Sequence, residues 1–303
     1  MVTEIFLAGF GHLQHISNVI FVFLLFVFMA TVTGNMLIIT LISTSPRLHS
    51  PMYFFLSNLS ACEVFITTTI LPNMLYIVWL NGGFMSFYGC IIQYYLASST
   101  GSIEFLLLTV MAYDRNLAIC NPLRYSSLMN NNTRNHLVAW AWVVGFTVMV
   151  TLVITICHLQ FCGSNTIDHY FCDLDPLRQL STSDTSLMDI EVIFVTLFLC
   201  VIPFVLIIVS YISIFSTILR ISSWAGRRKT FSTCSSHLAS VCLYGVSICV
   251  TYLVPSQQMK KINKLSSLLY TVATPFFNPI IYSLRNQEMM DCFRYYFKRI
   301  TKK

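Results

Sequence analysis

Seven long apolar runs constrain this chain more than any other feature. They lie at roughly 18–42, 53–80, 90–119, 136–158, 188–221, 230–254 and 265–284. A helix needs about 20 apolar residues to cross the hydrocarbon core of a bilayer, and each run supplies that length. Within lipid, only helices and closed barrels satisfy every backbone polar group. The runs are too long and too uniformly apolar for barrel strands, so they predict seven membrane-crossing helices. Composition agrees: 56% of the 303 residues are hydrophobic, 10% are charged, and the mean hydropathy is +0.71. A soluble domain cannot hide that much apolar surface. No repeat, low-complexity tract or linker divides the chain, and residues 1–303 read as a single domain. Residues 1–17 show neither a basic start nor a cleavage site, so the first helix is expected to act as the signal anchor.

Orientation follows from the basic residues. All of the 18 Lys and Arg except Arg178, Lys260, Lys261 and Lys264 fall on one side of the predicted membrane. The positive-inside rule places that side in the cytoplasm, with the N-terminus outside and the C-terminus inside. The chain is thus expected to be a multi-pass protein of the plasma membrane. Its net charge of +6 reflects this bias toward anionic lipid, and nucleic-acid binding is not implied. After Asn286, Met289, Met290, Phe293, Phe297 and Ile300 fall at roughly helical spacing, with Arg294, Lys298 and Arg299 between them. An amphipathic helix over about 286–300 should lie on the inner leaflet. Cys292, within it, is a candidate for palmitoylation.

The charges inside the apolar runs are the candidates for function. Asp114 and Arg115 close the third run, where an acid and a base can hold each other or be parted by a switch. The plainer reading is a salt bridge at the membrane boundary. Glu63 and Glu104 sit inside the second and third runs. Facing acids repel unless they share a proton or a cation. On the outer half of the third run, Ala97, Ser98, Gly101 and Ser102 recur at i, i+1, i+4 and i+5 and present one face of small and hydroxylated groups. That face suits a small ligand or close helix packing equally well. The long outer loop, about 159–187, holds Cys162 and Cys172, and Cys90 stands at the outer end of the third helix. Disulfides are favoured on that side, but spacing alone does not decide which cysteines pair.

PMYFFLSNLS (51–60), MAYDRNLAIC (111–120), Ser210-Tyr211, KTFSTCSSHL (229–238) and PFFNPIIYSLRN (275–286) succeed one another along the chain. Together they resemble the signature set of vertebrate odorant receptors of the larger, tetrapod-type class II, a branch of the rhodopsin-like G-protein-coupled receptors. The resemblance implies an all-α membrane protein: a seven-transmembrane helix bundle with a short amphipathic C-terminal helix. It implies no enzyme. The partners it implies are a small volatile odorant and a heterotrimeric G protein of the olfactory stimulatory type, which raises cAMP. A receptor of the same fold that serves another tissue and a non-odorant metabolite is the alternative reading. A channel or transporter would show paired halves or a file of polar residues, and neither is present.

The resemblance also assigns roles. Asn35 resembles the first-helix Asn that bonds neighbouring helices. Arg115 resembles the arginine released from Asp114 on activation. Tyr211 and Tyr282 resemble the tyrosines that swing inward. Asn278-Pro279 resembles the kink of the last helix, and His237 is a candidate switch residue on the sixth. Ala97, Ser98, Gly101 and Ser102 match the family's odorant pocket, together with Val195 and Leu199 in the fifth helix, Ile248 and Tyr252 in the sixth, and Thr271 in the seventh. The acid of amine receptors is missing where Ala97 stands, so a neutral, lipophilic ligand with one hydrogen-bonding group is expected. Cys90 and Cys172 resemble the pair that pins the outer loop to the third helix. For Glu63 and Glu104, a bound sodium ion and a protonated, hydrogen-bonded pair both stand as readings; no other cofactor and no firm metal site is expected.

Four departures stand out against the family pattern. Asn116 replaces the Tyr after Asp-Arg. Gly245 stands where the aromatic toggle is expected, with Tyr244 one position earlier, about 100° round the helix. Thr182 replaces a Cys, which leaves Cys162 without its usual partner. The N-x-S/T triplets begin only at Asn58 and Asn131, in a helix and on the inner side. Neither suits glycosylation, and weak surface trafficking is expected.

Overall fold

The computed structural model describes residues 2–221, 223–253, 260–284 and 286–301. Its long helices are α1 (Ser17–Thr44), α2 (Pro51–Leu80), α3 (Phe87–Cys120), α4 (Asn131–His158), α5 (Ser186–Arg220), α6 (Trp224–Leu253), α7 (260–284) and α8 (Gln287–Thr301). Of these, α1 to α5 are long and apolar enough, by length and composition, to cross a membrane. Most begin or end several residues outside the apolar runs, because hydrogen-bonded turns continue past the hydrocarbon. Capping accounts for several starts. Ser86 Oγ accepts from Gly89 N–H (3.1 Å) ahead of α3, and Asn130 Oδ1 accepts from Thr133 N–H (3.0 Å) ahead of α4. Pro51 opens α2, where its missing donor costs nothing.

Two helices change pitch. A π turn at Leu197–Val201 interrupts α5, and another at Leu269–Ala273 joins Lys260–Leu268 to Thr274–Leu284 within α7. Each inserts an extra residue and rotates the succeeding turns about the helix axis.

The third helix is the hub, packing against α2, α4, α5 and α6, while α1 and α7 close the other side. Gly145 lets α4 reach it: a Cβ there would collide with Ile103 and stand 3.2 Å from the Ser99 carbonyl. Polarity is inverted relative to a soluble protein. Asn35, Glu63, Glu104, His237 and Asn278 are buried, while Val19, Phe23, Phe26, Ile193, Phe194 and Val205 face outward. Lipid, not water, suits that surface.

At one end of the bundle lies a small sheet that the apolar pattern did not announce. β1 (Glu4–Leu7) is its middle strand, antiparallel to β2 (Gly83–Ser86) and parallel to β3 (Thr166–Ile167). Ile5 and Leu7 point inward and are fully buried, as strand alternation requires. At the opposite end, α8 docks on the bundle. The Tyr53 hydroxyl donates to Glu288 Oε2 (2.7 Å), and Cys292 Sγ lies 3.2 Å from Ser45 Oγ. Cys292 is buried there, so the candidate acylation site turns into the protein. The side chains of Phe297, Arg299 and Ile300 lie outside the described residues.

Candidate ligand cavity and switch

A cavity opens between α3, α5, α6 and α7, beneath the sheet end. About 90 Å³ of it is open to the centre of a water-sized sphere, several times the ~10–15 Å³ that one water needs. Ala97, Ser98, Gly101, Ser102, Val195, Leu199 and Ile248 all line it. Tyr252 belongs to α6, but its side chain lies outside the described residues. Thr271 is corrected: it is fully buried away from the cavity, donating to the Ser267 carbonyl (2.7 Å) and lying 3.2 Å from the Tyr170 hydroxyl. The π turn supplies the reason, since it brings Tyr270 to the wall in its place.

Sequence reasoning missed part of the lining. Ile66 and Ile70 come from α2, Met149 and Leu152 from α4, and Phe171, Asp173 and Leu174 from the loop above. Asp173 is the carboxylate among them. Its oxygens accept from Leu174 N–H (2.8 Å) and from the Tyr270 hydroxyl (3.3 Å). Tyr244 forms the floor. Its hydroxyl donates to the Gly101 carbonyl across the bundle (2.7 Å), and its ring stacks on Phe105 with centroids 5.8 Å apart. Gly101 permits this approach, because a Cβ there would stand 2.9 Å from the hydroxyl oxygen. At Gly245, a Cβ would meet Phe204 at 3.4 Å, an ordinary van der Waals contact. The aromatic one position earlier occupies the floor instead.

The lid over the cavity is the loop after α4. A disulfide joins Cys90 to Cys172, with Cα atoms 5.4 Å apart, and Gln93 Oε1 accepts from Cys172 N–H (3.0 Å). The rings of His169, Tyr170 and Phe171 pack against one another beside it, tilted or edge-on. Phe10 stacks on Tyr170 from the N-terminal segment, and Lys264 of α7 binds Asp168 at 2.8 Å. Burial and the Lys264 charge push the His169 imidazole down to about 3, so it stays neutral. Cys162 is free and exposed, and Thr182 beside it bonds to the Gln160 carbonyl (3.1 Å).

At the opposite end, the Asp114–Arg115 pair is parted and not held in a salt bridge. Among the described residues no ion pair joins Asp114 to Arg115. Asp114 Oδ1 accepts from the Tyr125 hydroxyl instead (2.8 Å), and Arg115 Nε has no hydrogen-bond partner among the described residues. Tyr125 lies on the short helix Pro122–Leu128, which comes directly after α3 and carries the phenol back to the acid. His237 Nε2 must donate to the Leu108 carbonyl (3.1 Å), which leaves Nδ1 to accept from the Tyr211 hydroxyl (2.7 Å). One imidazole thereby ties α3, α5 and α6. Tyr282 is buried in the same region.

Between cavity and switch lies the acid pair. Asn278 Nδ2 donates to Glu63 Oε1, and Asn35 Nδ2 donates to the Pro275 carbonyl (3.3 Å). Both Glu104 oxygens, Asn35 Oδ1 and Asn278 Oδ1 are buried without a partner among the described residues. Hard oxygens of this kind fit a small cation such as sodium. No group of three or more His, Cys, Asp or Glu placed to hold a metal ion occurs among the described residues.

The profile of the olfactory receptor family matches residues 24–299. The chain is 43% identical to olfactory receptor 11L1 of Homo sapiens, over 98% of its own length and 93% of that receptor. It is 45% identical to olfactory receptor 10A7 of Homo sapiens, over 95% and 92% of the two chains. Olfactory receptor 1G1 of Gorilla gorilla gorilla is 42% identical, over 97% and 94%.

Proposed function

The chain belongs to the olfactory receptor family, and from that premise we propose how this odorant receptor works. A small, neutral, lipophilic volatile enters the cavity between α3, α5, α6 and α7. Its binding redistributes the helices at the Asp114–Arg115 end, and that end activates a stimulatory G protein of the olfactory type, raising cAMP. The single observation that carries this reading is the course of α3. The same helix lines the cavity with Ser98, Gly101 and Ser102 and carries Asp114 and Arg115 in its last two turns. The family to which the chain belongs is one of receptors rather than enzymes.

The protein is a multi-pass membrane protein. The basic bias supports an outer N-terminus and an inner C-terminus. The test is a cAMP assay in cells that carry the olfactory stimulatory G protein, screened with neutral volatiles. Ser102→Val and Tyr252→Phe should shift agonist potency. Potency unchanged in both would remove the cavity from the reading.

We further propose that Glu63 and Glu104 take a sodium ion or share a proton. Unpartnered oxygens on Glu104, Asn35 and Asn278 support the ion. Sodium should then shift agonist potency in the parent and not in Glu104→Gln; no shift in the parent would leave the shared proton.

A further inference from the structure

Three hydroxyls on the α3 and α6 walls of the cavity turn their protons away from it. Ser102 Oγ donates to the Ser98 carbonyl (2.8 Å), Ser98 Oγ to the Tyr94 carbonyl (2.7 Å), and the Tyr244 hydroxyl to the Gly101 carbonyl (2.7 Å). A hydroxyl has one proton and two lone pairs. Once its proton is committed to backbone, it offers a ligand only lone pairs. Asp173 adds two more acceptor oxygens from the lid side, each already drawing donors from the protein. The Tyr94 hydroxyl, also on the lining, has Ser98 as its polar neighbour. Beyond these groups the α2 and α4 walls are apolar, formed by Ile66, Ile70, Met149 and Leu152.

We infer that the α3, α6 and lid walls of this cavity present acceptors and select ligands that bring their own hydrogen-bond donor. The fitting class is an alcohol or phenol, in preference to the aldehyde, ketone or ether of the same skeleton. The inference rests on the receptor reading above and names its ligand chemistry. An O–H donor completes the Ser102 lone pair with no change in the protein. A carbonyl or ether oxygen meets lone pair against lone pair unless a serine rotates and gives up its backbone bond. Unmade or broken bonds of this kind weaken binding by about tenfold.

The test uses matched trios on several carbon skeletons: the primary alcohol, the aldehyde or ketone, and the methyl ether. Each is read as cAMP from cells with the receptor stained at the surface. On every responding skeleton the alcohol should act at a concentration about tenfold below its partners. A carbonyl or ether that equals or exceeds its alcohol overturns the inference. In a second arm, Ser102→Ala should weaken the alcohol about tenfold and leave the carbonyl and ether where they were, and Ser102→Thr should restore it. A uniform shift of all three compounds would mark Ser102 as structural and overturn its assignment. Surface receptor that answers no volatile at all defeats the receptor reading itself, and the inference falls with it.

Discussion

The side-chain amide of Asn116 donates to the main-chain carbonyl of Ser210, 3.1 Å away, and so ties α3 to α5 beside the Asp114–Arg115 pair. Cys120, one turn on, extends the seam to Thr217 (3.2 Å) and Ser213 (3.5 Å). A net hydrogen bond of about 1 kcal/mol changes a two-state population roughly fivefold. Asn116→Ala and Asn116→Tyr should therefore raise ligand-free cAMP a few-fold, once corrected for receptor at the surface. Basal signalling equal to the parent in both variants would show that the seam does not restrain α5.

Tyr211 and His237 form the neighbouring tie. Tyr211→Phe removes the donor and leaves a buried ring nitrogen unpaired, at a cost of about 1–3 kcal/mol. The thermal midpoint of the solubilised receptor should fall by several degrees. A midpoint within error of the parent would show that the 2.7 Å contact contributes no stability.

His169 makes the lid sensitive to acid. Its imidazole titrates near 3 in the folded protein, well below its ordinary 6.5. Above pH 6.5 it is neutral in both states and has no effect. Between pH 6.5 and about 3 the unfolded chain takes a proton that the folded one refuses, so stability falls as pH falls. By pH 5 the loss is about 2 kcal/mol. Thermal midpoints measured at pH 7.5 and pH 5 should diverge more in the parent than in His169→Phe. Equal divergence would assign the acid sensitivity to other groups.

Cys90 and Cys172 close a long loop, and removing such a bridge typically costs about 2–5 kcal/mol. Cys172→Ser should reduce both surface display and agonist response. Because Gln93 also holds the Cys172 amide, some folded receptor should remain. An unchanged concentration–response curve would mean that the lid keeps its place without the bond.

Much of this architecture was legible in the residues, because twenty-residue apolar runs have few alternatives in lipid. The i, i+1, i+4, i+5 pattern from Ala97 to Ser102 likewise led to the wall of a cavity, since α3 is regular there. Thr271 was misplaced because a π turn has no local sequence signature, and one extra residue swings the next side chain away. Ile66, Ile70, Met149 and Leu152 were missed for a different reason: an apolar residue beside a cavity looks like one packed against a neighbour. The strands escaped notice because they are only two to four residues long and pair across distant parts of the chain. Tyr125 claimed Asp114 through a chain reversal that the Asp-Arg dipeptide does not encode.

The middle position of β1 has a consequence for the order in which the receptor is made. Glu4 pairs with Ser86 and Phe6 with Thr166, so the first strand synthesised waits for partners that emerge two and four helices later. Until then it is an open edge, and loop-closure entropy opposes its pairing. The bond between Cys90 and Cys172 spans a similar stretch, with a sequence separation of 82. A ribosome that stalls, or a truncation that ends before residue 166, would leave the lid unassembled above the four helices already made. Quality control in the secretory pathway would meet such a chain as a half-paired strand and a reduced Cys90.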